Sequence, residues 1–528
     1  MKKISWLLAF TLLLATGCKE KKETEKKKIS KRDISINKSN AYNDLFLDSM
    51  DVVKYIEENN LAEDTARRMI SFYNTRNYEF AWFSTDGLSE QAMGFSSLLN
   101  LDNDTSKIIT DLQKTLNQYL GTSNPGINGK SKQIINTELL MTENLIIYTL
   151  EHYEEGYVKR KEMERFIPFK KQNPLEEADS LIHKKHNDGK YFMDVNEAYR
   201  GLLENLTKYV TLAKGNTWRK INTSAKLKKG DKSPEILNIK TNLFLAGDME
   251  LDSTDVYDEN LESGIKNFQQ RIGQTPDGKI DADVLKMLNI SPVEMIEKIM
   301  INMNRMRWLP QKPDGRLLMV NIPAFQLHVY ENGKEQFAMP VVVGKEGHNT
   351  VLFSDKLTDV VFSPYWNVPP SIVKNEILPG IEKNPNYLAD HNMESTGTTN
   401  GLPDIRQLPG PKNSLGKVKF LFPNSFNIYF HDTPAKSLFQ RDERAYSHGC
   451  IRLGEPERLA EWVLSNQPEW TKQKIEAAMN AGAEKWVKVK DPIPVMITYY
   501  TAWVTDGKLN LRQDIYGHDA EVMKKMFK

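Results

Sequence analysis

Two stretches near the C-terminus combine residue types that do nucleophilic chemistry: Tyr429-Phe430-His431-Asp432 and Ser447-His448-Gly449-Cys450-Ile451-Arg452. A thiol is a good nucleophile only as the thiolate, and at an ordinary pKa of about 8.5 only a few per cent is ionised near neutrality. A nearby imidazole or guanidinium corrects this by stabilising the anion. In extended backbone His448, Cys450 and Arg452 project to the same side, because side chains alternate. Gly449 removes steric cover between the histidine and the cysteine, so a substrate carbonyl can approach. His431 lies at the end of an apolar strand-like run, from which a neighbouring strand brings it within reach of Cys450.

Three readings of these residues compete. Cys450 can be a small buried hydrophobe with incidental histidines. His431, His448 and Cys450 can be zinc ligands, a permitted catalytic set. Or Cys450 is a nucleophile. No separate metal-ligand motif stands nearby, and Arg452 beside a cation is unfavourable, so the residue types favour the nucleophile.

The elements that must position these residues follow from the rest of the chain. It has 528 residues, which suggests about three domains. Lys and Arg total 71 against 70 Asp and Glu, a net of +1, which argues against a nucleic-acid partner. The two cysteines, Cys18 and Cys450, supply neither a disulfide framework nor a four-cysteine zinc site. Residues 1–18 read as a signal peptide: Lys2 and Lys3, a short apolar stretch, then Leu14-Ala15-Thr16-Gly17-Cys18. This ending resembles a bacterial lipobox, which implies cleavage before Cys18 and lipidation of that residue. Lys19 to Asp33 carries twelve charged residues in fifteen, and residues 19–40 are expected to be a charged tether.

Residues 41–228 show mostly helical periodicity, with Tyr78, Phe80, Trp82 and Phe83 as candidate core. Residues 229–290 form a smaller unit of three amphipathic stretches with a turn-rich Gly273-Gln274-Thr275-Pro276-Asp277-Gly278 before the last. Ser291-Pro292-Val293-Glu294 then starts a linking helix over 291–315. From 316 the period changes to two, Asn332-Gly333 marks a hairpin, and strand-like runs recur to Tyr500.

Phe268-Gln269-Gln270-Arg271-Ile272-Gly273 with Pro276-Asp277-Gly278-Lys279-Ile280 resembles the three-helix peptidoglycan-binding domain. His431 followed by Ser447-His448-Gly449-Cys450-Ile451-Arg452 resembles the signature of the L,D-transpeptidases with a YkuD-type catalytic domain. Tyr365-Trp366-Asn367-Val368-Pro369, Leu415-Gly416-Lys417-Val418-Lys419-Phe420 and Tyr500-Thr501-Ala502-Trp503 resemble the large YcbB-like branch.

The resemblance implies a multidomain α+β protein. It has a helical scaffold domain, a small peptidoglycan-binding-like domain (229–290) and a β-rich catalytic domain (316–528) with a lid at about 389–414. It implies Cys450 as nucleophile and His431 as general base, with His448 and Arg452 shaping an anionic pocket. Gly449 and Cys450 N–H groups would serve the oxyanion, and Tyr429, Trp366 and Ser447 the substrate cleft. Asp432 in a regular strand points away from the imidazole and is not assigned as a triad member.

The implied reaction is acyl transfer from a tetrapeptide stem through a thioester to an amine, cross-linking peptidoglycan without metal or organic cofactor. An L,D-carboxypeptidase, a thiol hydrolase or a non-catalytic lipid-anchored wall-binding scaffold are the alternatives. Peptidoglycan stem peptides are the implied partner, a protein acceptor being left open. The implied place is the cell envelope, on the periplasmic face, with the N-terminal lipid in the membrane.

Overall fold

In the computed structural model of the protein, residues 28–101, 107–119, 126–152, 167–183, 197–222, 226–309 and 315–528 are described. Cys18, the signal segment and residues 19–27 lie outside them. The chain divides into two compact units, one of Met1–Phe95, Thr105–Asn173 and Lys524–Lys528, the other of Ser96–Asp104 and Pro174–Met523. No helix among the described residues is long and apolar enough to cross a membrane.

The first unit is helical, with helices Ser49–Glu58, Glu63–Thr75 and Lys132–His152 and a two-residue hairpin of β1 (Phe83–Ser84) and β2 (Gly87–Leu88). Asp48 and Asp51 form a capping box that starts the first of these helices. Phe80, Trp82 and Phe83 are fully buried and Tyr78 nearly so. Their backbone is tied to the long helix by Glu138, which accepts from the Ala81 and Trp82 N–H groups at 2.6 and 3.0 Å. The segment expected to run free to residue 40 is docked from Ser30 on. Ile36 is fully buried, Asn77 Nδ2 donates to its carbonyl at 2.7 Å, and Asn74 Nδ2 donates to the Ser30 carbonyl at 2.9 Å. One apolar anchor among the charges is enough to end the tether early.

The helices of 41–228 are divided between the two units. Helices Pro174–His183 and Glu197–Gly215 belong to the second unit, where both pack on the helix Pro292–Met306. Gly201 lets the helix Glu197–Gly215 also approach the strand Ala502–Thr505, since a Cβ there would lie 2.6 Å from the Val504 side chain. The linking helix starts on the capping box of Ser291 and Glu294 and is buried on nearly every side. Its two buried cations share one carboxylate: Lys298 Nζ and Arg305 Nη1 reach the two oxygens of Asp519 at 2.8 and 2.6 Å. Three short helices, Pro234–Ala246, Glu259–Ile272 and Ala282–Leu288, form the expected small unit, each begun by a Ser or Asp cap.

Nine strands build the catalytic sheet: β3 (Arg316–Asn321), β4 (Gln326–Glu331), β5 (Lys334–Gly344), β6 (Phe353–Phe362), β10 (Val418–Leu421), β11 (Phe430–His431), β12 (Ala445–Ser447), β13 (Ile451–Leu453) and β14 (Lys485–Thr498). Their order is β12-β5-β13-β11-β10-β6-β14-β3-β4, and β4 also pairs with β5, which closes the sheet on itself. Alternation assigns the two faces. Val341, Val343, Val360, Phe362, Val418, Phe420, Phe430, Ile451 and Leu453 point into one apolar core, shared with helices Pro456–Val463 and Lys472–Met479. The residues between them point the other way.

The inserted lid is larger than the polar loop expected at 389–414. It begins with β7 (Trp366–Asn367), continues through helical turns over 370–390 and ends in a hairpin of β8 (Met393–Thr399) and β9 (Leu402–Gln407). Val368, Ile372, Val373, Ile377 and Ile405 give it a small core of its own. Pro379 interrupts the helical hydrogen bonding, and the preceding turn widens so that Leu378 N–H bonds the Val373 carbonyl, five residues back.

Candidate active site

β11 and β13 run parallel and adjacent, with Phe430 opposite Ile451 and His431 opposite Arg452. The inward partners fill the core, so the imidazole and the guanidinium share the outer face. Cys450 immediately precedes β13. Ile451 N–H donates to the Tyr429 carbonyl at 3.1 Å, extending the pairing back to the cysteine. Tyr429 favours the thiolate form of Cys450, and the thiol lies 3.5 Å from the Asn427 carbonyl. Asn427 takes the left-handed conformation that aims this carbonyl, φ 54°, which Asn tolerates.

Residues 448–450 are a turn, not extended strand. β12 pairs with one edge of β5 and β13 with the other, and the chain crosses the end of β5 between them. Gly449 makes the crossing with φ +109°, a conformation any other side chain would strain, although its nearest neighbours leave open space at 3.9 Å. Its need is therefore conformational, and the simple alternation that set His448 beside Cys450 does not apply.

The turn is braced on both sides. Ser447 Oγ donates to the Cys450 carbonyl at 2.5 Å and accepts from Gly449 N–H at 3.2 Å. Thr350 Oγ1 donates to the Gly449 carbonyl at 2.8 Å and accepts from Gly344 N–H at 3.0 Å. Tyr516 in turn donates to the Gly344 carbonyl at 2.6 Å. The Gly449 N–H, expected to serve an oxyanion, is committed to Ser447.

His431 is buried. Its Nδ1 lies 2.5 Å from the Asp432 carbonyl, and because a carbonyl only accepts, Nδ1 carries the proton and Nε2 is left free as a base. Asp432 thus acts through its backbone. Its carboxylate faces away, accepting from Lys417 N–H, Thr433 N–H and Lys436 Nζ. Burial first, then the Arg452 charge, pulls the imidazole down to about 3, and Lys419 on its other side adds to this. Burial pushes the Cys450 thiol up, against the opposing pull of Tyr429 and Arg452. At neutral pH the pair is therefore neutral thiol and neutral imidazole.

Arg452 has a buried Nε with no hydrogen-bond partner, an uncommon state for a buried donor. His448 is largely exposed, its Nε2 3.3 Å from Glu376 of the lid and its ring 5.0 Å from that of His348. Trp366 packs against the core of the lid, where β7 pairs with β9. So His431, Cys450, Arg452, Tyr429, Ser447, Gly449 and His448 come together, whereas Trp366 belongs to the lid and Cys18 lies outside the described residues. Sequence reasoning passed over Thr350, Tyr516, Glu376 and the Asp432 carbonyl. For Lys419 a signal was present: it stands between Val418 and Phe420, so alternation alone puts it on the face opposite the core.

The chain is similar to known proteins domain by domain. Residues 315–495 match the model of the L,D-transpeptidase catalytic domain, YkuD; 67–206 match a scaffold domain; 232–288 match a "Putative peptidoglycan binding domain". A curated Haemophilus influenzae protein named "Putative L,D-transpeptidase" is 31% identical over 242 residues, 43% of this chain and 49% of that protein. The match thus spans about half the length of that relative. Among solved structures, an L,D-transpeptidase from Stackebrandtia nassauensis aligns at 14% identity over 52% of this chain and 97% of its own, TM-score 0.23. One from Mycobacterium smegmatis aligns at 16% identity over 35% and 58%, TM-score 0.20. The chain carries an L,D-transpeptidase catalytic domain of the YkuD family, together with a peptidoglycan-binding domain and a scaffold domain.

Proposed function

We propose that the protein is a peptidoglycan L,D-transpeptidase that uses Cys450 as nucleophile and His431 as general base. The observation that carries this is the adjacent parallel pair β11 and β13, which sets His431, with its proton on Nδ1, directly opposite Arg452, the second residue after Cys450. In this reading Nε2 takes the thiol proton as sulfur attacks the carbonyl at the third residue of a tetrapeptide stem. The carbonyl becomes an oxyanion, and its collapse expels the terminal D-alanine, whose amine receives the proton. The resulting thioester is attacked by a side-chain amine of a second stem, giving the cross-link and restoring the thiol.

Arg452 favours the developing thiolate, and its unpartnered Nε is a donor in reserve for an anionic or carbonyl oxygen of the substrate. With Gly449 N–H engaged, the Cys450 N–H is the proposed oxyanion donor. Ser447 positions the turn, Tyr429 favours the thiolate, and His448 joins the turn to the lid. Trp366 would meet substrate only from the lid side.

The same nucleophile serves hydrolysis with water as acceptor. We assign transfer because a lid with its own core stands over this turn through Glu376 and His448, a means of excluding water. The resemblance of residues 14–18 to a lipobox supports lipidation at Cys18 and a place on the periplasmic face of the envelope.

Two measurements test the reading. A carbapenem should add its mass to the wild-type protein and not to Cys450→Ala. Tetrapeptide muropeptides should yield a cross-linked dimer; tripeptide alone would assign a carboxypeptidase, and activity retained in Cys450→Ala would remove the nucleophile assignment.

A further inference from the structure

The pairing register carries the catalytic face well beyond the dyad. Arg452 is opposite His431, His431 opposite Lys419, Lys419 opposite Val361, and Val361 opposite Trp486. Lateral partners in a sheet share a face, so these residues form one row on the side away from the core. The contacts agree: Lys419 Nζ lies 5.6 Å from the centre of the Trp486 ring, and Val487, next along β14, is buried in the core.

A single exposed aromatic signifies nothing by itself. Trp486 differs in being fixed. It is 57% exposed, yet its Nε1–H donates to Glu484 Oε2 at 2.9 Å. The other oxygen of that carboxylate accepts from Tyr365 N–H at 3.0 Å and lies 3.7 Å from Lys419 Nζ. The result is a held, largely exposed indole with the Lys419 ammonium over the ring and the Glu484 carboxylate at its Nε1 edge. A flat apolar face flanked by charged hydrogen-bonding groups fits a pyranose, whose C–H face stacks on the ring while its hydroxyl and acetamido groups meet the polar rim.

Distance gives the connection to the reaction. Three strand spacings of about 4.8 Å put Trp486 about 14 Å from His431. The scissile carbonyl of a tetrapeptide stem is three residues from the sugar, and at about 3.5 Å per extended residue plus the linking lactyl group this span is covered.

We propose that Trp486, with Lys419 and Glu484, is a subsite for the N-acetylated sugar that carries the donor stem. The inference rests on the transpeptidase reading and deepens it: the catalytic domain itself reads the glycan, independently of the peptidoglycan-binding domain.

The test compares two donors, a disaccharide-tetrapeptide and the sugar-free tetrapeptide, with full-length wild type, Trp486→Ala and Trp486→Phe. Carbapenem acylation is followed in parallel, because that ligand has no sugar. Trp486→Ala should raise KM for the disaccharide donor about tenfold with kcat nearly kept, and KM for the free peptide less than about twofold. Trp486→Phe should recover most of the loss. Equal effects on both donors, or none on either, overturn the subsite. A wild type that is acylated but handles both donors with the same KM overturns it as well. Absence of acylation in the wild type would instead remove the reading on which the subsite rests.

Discussion

His431 and Arg452 are direct partners on neighbouring parallel strands, so a permanent cation stands beside the proposed general base. The guanidinium acts on the two reacting groups in opposite senses. It favours the Cys450 thiolate and disfavours the His431 imidazolium. Burial, the largest influence on both groups, keeps them from forming a resting ion pair, and proton transfer is left to accompany attack on the substrate.

Arg452→Ala tests this double action. Because proton transfer accompanies attack, the guanidinium is expected to stabilise the charge developing on sulfur, and without it carbapenem acylation at pH 7 should slow by about tenfold. At the same time the imidazole, relieved of its neighbour, should titrate closer to its ordinary value, and an acid limb should enter the pH profile at higher pH than in wild type. A slower variant with an unshifted profile would mean that Arg452 serves folding or substrate contact alone.

The wild-type profile is a prediction of its own. A histidine pulled down to about 3 is already neutral, and so competent as a base, across pH 5–8. The raised thiol remains protonated over the same range. The rate constant for carbapenem adduct formation should therefore vary by less than about twofold between pH 5 and 8. A one-proton fall centred near 6.5 would show an imidazole that burial does not control.

Much of this site was legible in the residues. The thiol and imidazole were marked by their motif, and Val418-Lys419-Phe420 declares its two faces by alternation. The parts that were not legible have physical causes. His448 was misdirected because period-two reasoning assumes extended backbone, and Gly449 leaves that region at φ +109°. Asp432 orients His431 with a main-chain carbonyl, which side-chain identity does not report. The lid hairpin was read as a loop because β8, Met-Glu-Ser-Thr-Gly-Thr-Thr, has no apolar face. Only the Asn400-Gly401 turn, with φ 51° and 79°, signals it. Strand β11 is only two residues long, and the run Asn427 to Phe430 was expected to be strand before the pairing begins.

Asp519 holds the linking helix to the C-terminal segment by neutralising both Lys298 and Arg305 while accepting from Thr501. Burial opposes its charge, but the two cations prevail and hold the carboxyl well below the usual range. Removing it in Asp519→Ala takes this carboxylate from two buried cations, and the loss should be about 3 kcal/mol in denaturant unfolding of the full chain. The sign of the pH dependence follows: this contribution is present above the ordinary Asp pKa and fades as pH falls through the depressed value. Wild type and variant should therefore converge in stability only in strong acid. An unchanged denaturation midpoint at pH 7 would mean that neighbouring water compensates the cations.

Glu376 and His448 join the lid to the turn that carries the nucleophile, 3.3 Å apart and both partly solvated. Burial lowers the His448 pKa while Glu376 acts to raise it, so at neutral pH the imidazole is the donor and the carboxylate the acceptor. A solvent-screened contact of this kind is weak, and its loss should tilt the lid's closure without abolishing acylation. In Glu376→Ala the carbapenem adduct should form at close to the wild-type rate. The ratio of cross-linked dimer to hydrolysed tripeptide should fall by about twofold, because an open lid admits water to the thioester. Excision of the β8–β9 hairpin should lower the ratio further. If both variants keep the wild-type ratio, the lid does not choose between amine and water, and the partition is set inside the Cys450 pocket.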